Sequence, residues 1–218
     1  AERTVRFWDN SGNYLQKSGG NWYLKDSNKR KLTGLRYLSI PKTEFLKTGF
    51  YMFDKNGKLL RKQSVYYFDK KTVSGVRFDK YHITDSNGRI SKGERGFVNV
   101  AEQKVRGKKI IAGIYYVEAY GKLADRGTVR YIRQRRFGGR NFKSGYYYFY
   151  GTGRICMRPS FHKVNKTVQG KKFNGIYYFG NDNGRMVQKA GWVTCEGQQY
   201  YVDQNGKMLV KLHLFRLL

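Results

Sequence analysis

Eight aromatic residues, Trp22, Tyr51, Tyr67, Tyr116, Tyr148, Tyr178, Trp192 and Tyr201, stand at positions that read as equivalent in a recurring short phrase. A flat aromatic face offers a binding surface two kinds of contact. It stacks on the apolar face of a sugar ring, or it attracts a quaternary ammonium through its quadrupole. A second set is basic: Arg130, Arg133, Arg135, Arg136 and Arg140, with Tyr131 and Phe137 among them. Such a stretch suits an anionic polymer, and salt would weaken that contact steeply because each neutralised charge releases a counterion. These two sets are the candidate ligand-binding and anionic-polymer contacts.

Residues for bond-breaking chemistry are poorly placed. His82, His162 and His213 are lone histidines in unrelated positions. A metal site needs clustered ligands at defined spacing, so neither a metal nor a cofactor is expected. Asp54, Asp69 and Asp203 each follow an aromatic run, where a carboxylate oxygen accepts bonds from the amides of a turn. Cys156 and Cys195 are 39 residues apart with no Cys-x-x-Cys spacing. They read as small apolar fillers, with a disulfide between neighbouring repeats as the alternative. No Gly-x-Ser-x-Gly elbow or phosphate-cradling loop is present, and no catalytic residue is assigned.

The elements that position the aromatics are β-hairpins. Ile176–Phe179 is a β-branched and aromatic run, residues 181–184 form a turn cluster, and Arg185-Met186-Val187 reads as the return strand. A hairpin this short needs neighbours of its own kind. The phrase recurs at Tyr51-Met52-Phe53-Asp54-Lys55-Asn56-Gly57, at Tyr66-Tyr67-Phe68-Asp69 and at Tyr200-Tyr201-Val202-Asp203-Gln204-Asn205-Gly206. Further copies occur around Trp8, Trp22, Tyr115 and Tyr147, and a weaker one around Tyr81. Turn glycines 57, 88, 121, 153 and 184 are 31, 33, 32 and 31 residues apart, and the last step, to Gly206, is 22. A fixed period of this size marks a repeat architecture in which each unit buries its face only against the next.

The phrase Tyr-Tyr-Phe-Asp-x-Asn-Gly-Lys resembles the cell-wall-binding, choline-binding and glucan-binding repeats of Gram-positive surface proteins. It is also similar to the repetitive receptor-binding regions of large clostridial toxins. Val105-Arg106-Gly107-Lys108-Lys109 and Val168-Gln169-Gly170-Lys171-Lys172 match the longer inter-hairpin segments of such repeats, and Ala190-Gly191-Trp192-Val193 matches their Gly-Trp linking element. The resemblance is strongest over 165–210 and weakest over 34–48 and 121–142. It implies an open β-solenoid that binds choline, α-glucans, cell-wall polymers or host glycans between adjacent hairpins. It also implies an exported protein, secreted or held at the bacterial cell wall. Ala1 is not an initiator methionine, so the chain reads as processed or excised.

The expected fold is therefore all-β, an elongated solenoid of hairpin repeats. Three regions follow: N-terminal hairpins at 1–34, divergent repeats with loop insertions at 35–142, and regular repeats at 143–218. Residues 35–48 read as a loop or edge segment broken at Pro41. Residues 126–142 read as an inserted loop, and 212–218 as a cap or a ragged end. Leu, Ile and Val are sparse beside 19 Tyr, 14 Phe and 3 Trp, which favours a thin aromatic core. In Tyr177-Tyr178-Phe179 the outer two rings face one way and Tyr178 the other, one set for the core and one for the grooves. The net charge of +29, from 44 Lys and Arg against 15 Asp and Glu, favours anionic partners. No apolar run is long enough to insert in a membrane. Binding of a cell-wall polymer or host glycan ranks first. An adhesin or decoy that grips a host protein through Tyr and Arg ranks second, and nucleic acid third.

Overall fold

The computed structural model describes residues 3–9, 11–42, 45–91, 93, 96–180 and 182–211. Asn181, His213 and the tail 212–218 lie outside the described residues. The chain is all-β: among the described residues the only helical element is one 3-10 turn, Ala119–Gly121. It divides into two compact units, Ala1–Ile111 with Val117–Leu123, and Ala112–Tyr116 with Ala124–Leu218.

The first unit opens with an antiparallel three-stranded sheet, β1 (Thr4–Arg6), β2 (Tyr14–Ser18) and β3 (Asn21–Lys25). A hairpin of β4 (Gly34–Leu38) and β5 (Gly49–Phe53) follows, then one of β6 (Val65–Val73) and β7 (Val76–Ile83). Then come β8 (Phe97–Val100) and a short hairpin of β9 (Gln103–Val105) and β10 (Lys108–Ile110). Two readings of the sequence are corrected here. Residues 35–38 are not loop, because Leu35 and Leu38 are buried in β4 and pair with β5; Pro41 comes after the strand and removes no ladder donor. Asp69 does not follow a strand. It lies exposed inside β6 at a bulge, and the chain turns only at Ser74-Gly75. Tyr66–Phe68 is thus the first strand of a hairpin, not the second.

The second unit contains β11 (Gly113–Tyr116), β12 (Thr128–Ile132), β13 (Arg135–Phe137), β14 (Arg140–Phe142) and β15 (Gly145–Phe149). β16 (Ser160–Val168) and β17 (Lys171–Phe179) form the longest hairpin, and β18 (Gly191–Cys195), β19 (Gln198–Val202) and β20 (Met208–Lys211) a three-stranded sheet. Residues 126–142 are no inserted loop. β12 pairs with β15 through Val129↔Tyr148, and the small hairpin β13–β14 prolongs its tip, so one hairpin spans residue 142. The partner of Ile176–Phe179 is also corrected. β17 pairs along its length with the preceding β16, and the stretch after the turn contributes single bridges rather than a strand.

Those bridges define the repeat. Phe179 pairs with Met186 of its own turn, while Arg185 reaches back to Tyr147 of the preceding hairpin. In the second unit the same step gives Tyr115↔Arg154 and Tyr177↔Lys207; in the first it gives Tyr23↔Lys58, Tyr51↔Arg89 and His82↔Lys122. Backbone bonds reinforce it, from the Leu59 amide to the Trp22 carbonyl (2.7 Å) and from the Met186 amide to the Tyr146 carbonyl (2.8 Å). The reaching residue is basic at all six steps. At four of the six its stem covers a glycine of the strand it reaches: Arg89 over Gly49, Arg154 over Gly113, Arg185 over Gly145 and Lys207 over Gly175. Part of the charge excess is therefore structural, a long aliphatic stem with its cation at the water.

The turns are held as their residue types require. Asp54 Oδ1 accepts the amides of Asn56 (2.8 Å) and Lys58 (2.9 Å), and Asp203 Oδ1 those of Asn205 (2.8 Å) and Lys207 (3.0 Å). Asp26 and Asp85 do the same. Each unit has its own aromatic-rich core. Trp22, Tyr51 and Phe53 pack with Leu15 and Leu24 in the first; Phe173, Tyr177 and Phe179 pack with Val129 and Met186 in the second.

Candidate functional site

The eight aromatics do not share one environment. Tyr51 (1 % exposed), Trp22 and Tyr178 (5 % each) are buried. The Tyr51 hydroxyl donates to the Lys47 carbonyl (2.6 Å), and burial pushes its pKa up to about 12. Its register also differs from that assumed in the sequence. Tyr51 makes the bridge that Tyr115, Tyr147 and Tyr177 make, so Met52, not Tyr51, corresponds to Tyr116, Tyr148 and Tyr178. Trp22 stacks on Phe45 with centroids 4.9 Å apart, and the Tyr178 hydroxyl donates to the Thr194 carbonyl (3.2 Å).

The other five reach solvent. Trp192 is 53 % exposed and lies across the strands from Tyr201, edge to face at 5.3 Å. Tyr67 faces Tyr81 across β6 and β7 in the same manner at 5.1 Å. Tyr116 carries the guanidinium of Arg130 on its face at 3.7 Å. Tyr148 is stacked parallel on His162, 3.7 Å apart. The sequence reading missed a further pair, Tyr131 and Tyr146, which face each other across β12 and β15 at 5.2 Å. It also missed the lysines beside two of these pairs, Lys108 over Tyr81 (5.3 Å) and Lys171 over Tyr146 (5.6 Å). Their signal was present in the two Val-x-Gly-Lys-Lys segments.

The five arginines are spread along one hairpin. Arg130 lies on β12 against Tyr116, Arg133 is exposed, and Arg135 and Arg136 lie on β13 opposite Phe142 and Asn141. Arg140 lies on β14 and donates to the side-chain oxygen of Asn183 (3.3 Å). Tyr116 and Arg130 thus bring the two candidate sets together.

His162 is not isolated. Its Nε2 lies 2.9 Å from Ser160 Oγ, which lies 3.3 Å from Cys156 Sγ, and that sulfur accepts from the Tyr150 hydroxyl (2.9 Å). The two cysteines are free and buried. Burial, with the nearby Arg158 cation, pushes the His162 pKa down to about 4. Burial also lowers that of His82, whose ring bonds the carbonyls of Tyr120 and Asp79. The folded state therefore resists a proton that the unfolded chain accepts near 6.5. Stability should fall as the pH drops from about 6.5 to about 4, by about 1–2 kcal/mol for the half-exposed His162 ring after solvent screening. Thermal melts of the wild type and His162→Phe at both ends of this range test the expectation. An equal loss in the variant would show that another group titrates. Among the described residues no group of three or more His, Cys, Asp or Glu could hold a metal.

No protein-family model matches the sequence, and no curated protein matches it. Solved structures do. The chain is similar to choline binding protein F from Streptococcus pneumoniae, at 20 % identity over 94 % of this chain and 79 % of that one, with a TM-score of 0.28. The same protein soaked with ipratropium gives 18 % identity, 94 % and 80 % coverage, and a TM-score of 0.38. Alternansucrase in complex with isomaltononaose is similar at 16 % identity, over 90 % of this chain and 16 % of the enzyme, with a TM-score of 0.23.

Proposed function

We propose that this chain is a non-catalytic repeat module of a bacterial surface or secreted protein, and that it binds a cell-wall polymer or host glycan. The observation that carries the reading is the surplus of aromatic rings. Tyr51, Tyr147, Tyr177 and their neighbours fill the two cores, yet Tyr67, Tyr116, Tyr148, Trp192 and Tyr201 still reach solvent on regular strands. Rings held rigid by a sheet and open on one face are suited to stacking on sugar rings. The arginine-bearing hairpin β12–β15 is a second contact in this reading, for the charged backbone of the same polymer.

A glycan array identifies the ligand, and titration calorimetry with the best hit follows. Trp192→Ala and Tyr116→Ala should each weaken it about tenfold, about 1.4 kcal/mol, with melting temperatures near that of the wild type. A variant with Arg130, Arg133, Arg135, Arg136 and Arg140 changed to Gln should show a shallower fall of affinity with salt. The reading fails if no glycan is retained, or if the alanine variants bind as tightly as the wild type.

A further inference from the structure

We propose that two clamps, Tyr67–Tyr81–Lys108 in the first unit and Tyr131–Tyr146–Lys171 in the second, take an anionic sugar, a pyranose bearing a carboxylate or sulfate. This rests on the glycan-binding reading and gives the ligand its charge.

The two clamps have the same construction. In each, two tyrosines are register partners on antiparallel strands, Tyr67↔Tyr81 and Tyr131↔Tyr146. Their ring geometries nearly coincide, 5.1 Å at 71° and 5.2 Å at 68°. In each, the lysine follows a tight turn whose two central residues have positive φ: Arg106 and Gly107 at 48° and 79°, Gln169 and Gly170 at 51° and 74°. Such turns join the strands of two-residue hairpins and fix where the next side chain goes. That side chain comes to the second tyrosine of the pair, with Nζ 5.3 Å from the Tyr81 ring and 5.6 Å from the Tyr146 ring. Residues distant in sequence meet twice in the same way, so the arrangement belongs to the repeat.

The charge then selects the ligand. A quaternary ammonium would sit beside the lysine already present at each pair, and in the first clamp beside Arg106 over the Tyr67 ring as well (4.9 Å). Two cations on one small ring pair repel. A neutral sugar could stack but would draw nothing from the ammonium. An anionic pyranose gains from both, its ring face on tyrosine and its carboxylate or sulfate on lysine. The cations remain available: Lys108 is exposed, and Lys171 is steadied by Gln188 Oε1 (2.7 Å), a neutral acceptor. Glu102 pairs with Lys109 (3.1 Å) rather than with Lys108.

The test uses the whole chain and calorimetric titration with four probes: trigalacturonate, a sulfated trisaccharide, the neutral galactose trisaccharide and choline. A ring-free tripolyphosphate controls for simple attraction to the net charge. Binding of one or both anionic sugars at least tenfold tighter than the neutral one, with that preference lost in Lys108→Gln/Lys171→Gln and choline unable to compete, supports the clamps. The better of the two also tells a carboxylated from a sulfated polymer. Equal binding of the neutral sugar, or a preference that survives in the double variant, overturns the clamps and leaves the glycan reading standing. Tripolyphosphate binding that is as tight and as sensitive to the two lysines also overturns them. If none of the three sugars binds while the array retains another glycan, the clamps fall and the glycan reading stands; if the array retains none, both fall. Tyr67→Phe/Tyr131→Phe should keep the preference, which a hydroxyl-based site would lose.

Discussion

Valine in place of Gly184 is expected to destabilise the second unit by about 2–6 kcal/mol, through two separate penalties. Gly184 has φ +80°, a conformation that a β-branched residue adopts only under strain. A Cβ there would also overlap the carbonyl oxygen of Cys156, because the turn packs directly on the backbone of the preceding repeat. That carbonyl belongs to main chain and cannot swing aside as a flexible side chain would. Gly197 separates the two penalties. It has φ +75° in the tight turn between β18 and β19, with nothing within 4 Å of its missing Cβ. Gly197→Val should therefore pay only for backbone strain, about 1–3 kcal/mol. Urea unfolding of both variants, compared at constant slope, measures the difference. If Gly184→Val proves no worse than Gly197→Val, the close approach between repeats contributes nothing and the stacking step needs another basis.

The turns were legible because their cause is local. An aspartate that caps two amides, and a glycine that supplies positive φ, are written within five consecutive residues, so the period could be read directly. Strand partners were not legible. β4, β12 and β16 each pair with the aromatic strand that follows, yet Gly34–Leu38 and Thr128–Ile132 carry none of the Tyr-Tyr-Phe phrase. Without the partner, alternation assigns two faces but not which one is inside. This is why the sequence alone groups Tyr51 with Tyr178 and gives Asp69 a turn that it does not make. The arginines disguised a regular hairpin as an insertion, because β12 and the tip β13–β14 carry none of the aromatic phrase that marks the repeats. The clamps are further still from a local signal. Residues 67, 81 and 108 converge only after three strand pairs have been laid down. What survives at sequence level is their echo, the same Val-x-Gly-Lys-Lys tip twice.

The tyrosines of the inner register should separate sharply from those at the surface. Tyr147 is fully buried, its ring against Phe142 at 5.7 Å and its hydroxyl donating to the Lys143 carbonyl at 2.8 Å. Truncation to alanine opens a cavity the size of a ring among packed neighbours and should cost about 3–5 kcal/mol, as for other large core aromatics. Tyr147→Phe keeps the ring and loses one hydrogen bond, which costs about 1–2 kcal/mol. Neither change should alter ligand selectivity in the fraction that folds, whereas Tyr116→Ala should do the reverse. Alkaline titration gives an independent check. Burial pushes the hydroxyls of Tyr51 and Tyr147 up to about 12, against 10 for an ordinary tyrosine. The unfolded chain loses these protons first, so the stability they confer is complete below pH 10 and is lost as the pH rises toward 12. Tyrosinate absorbance should therefore include a late component, from Tyr51 and Tyr147, that appears together with unfolding. A single stage at the ordinary pKa, with the fold intact, would place Tyr51 and Tyr147 in water and overturn the assignment of the inner register to the core.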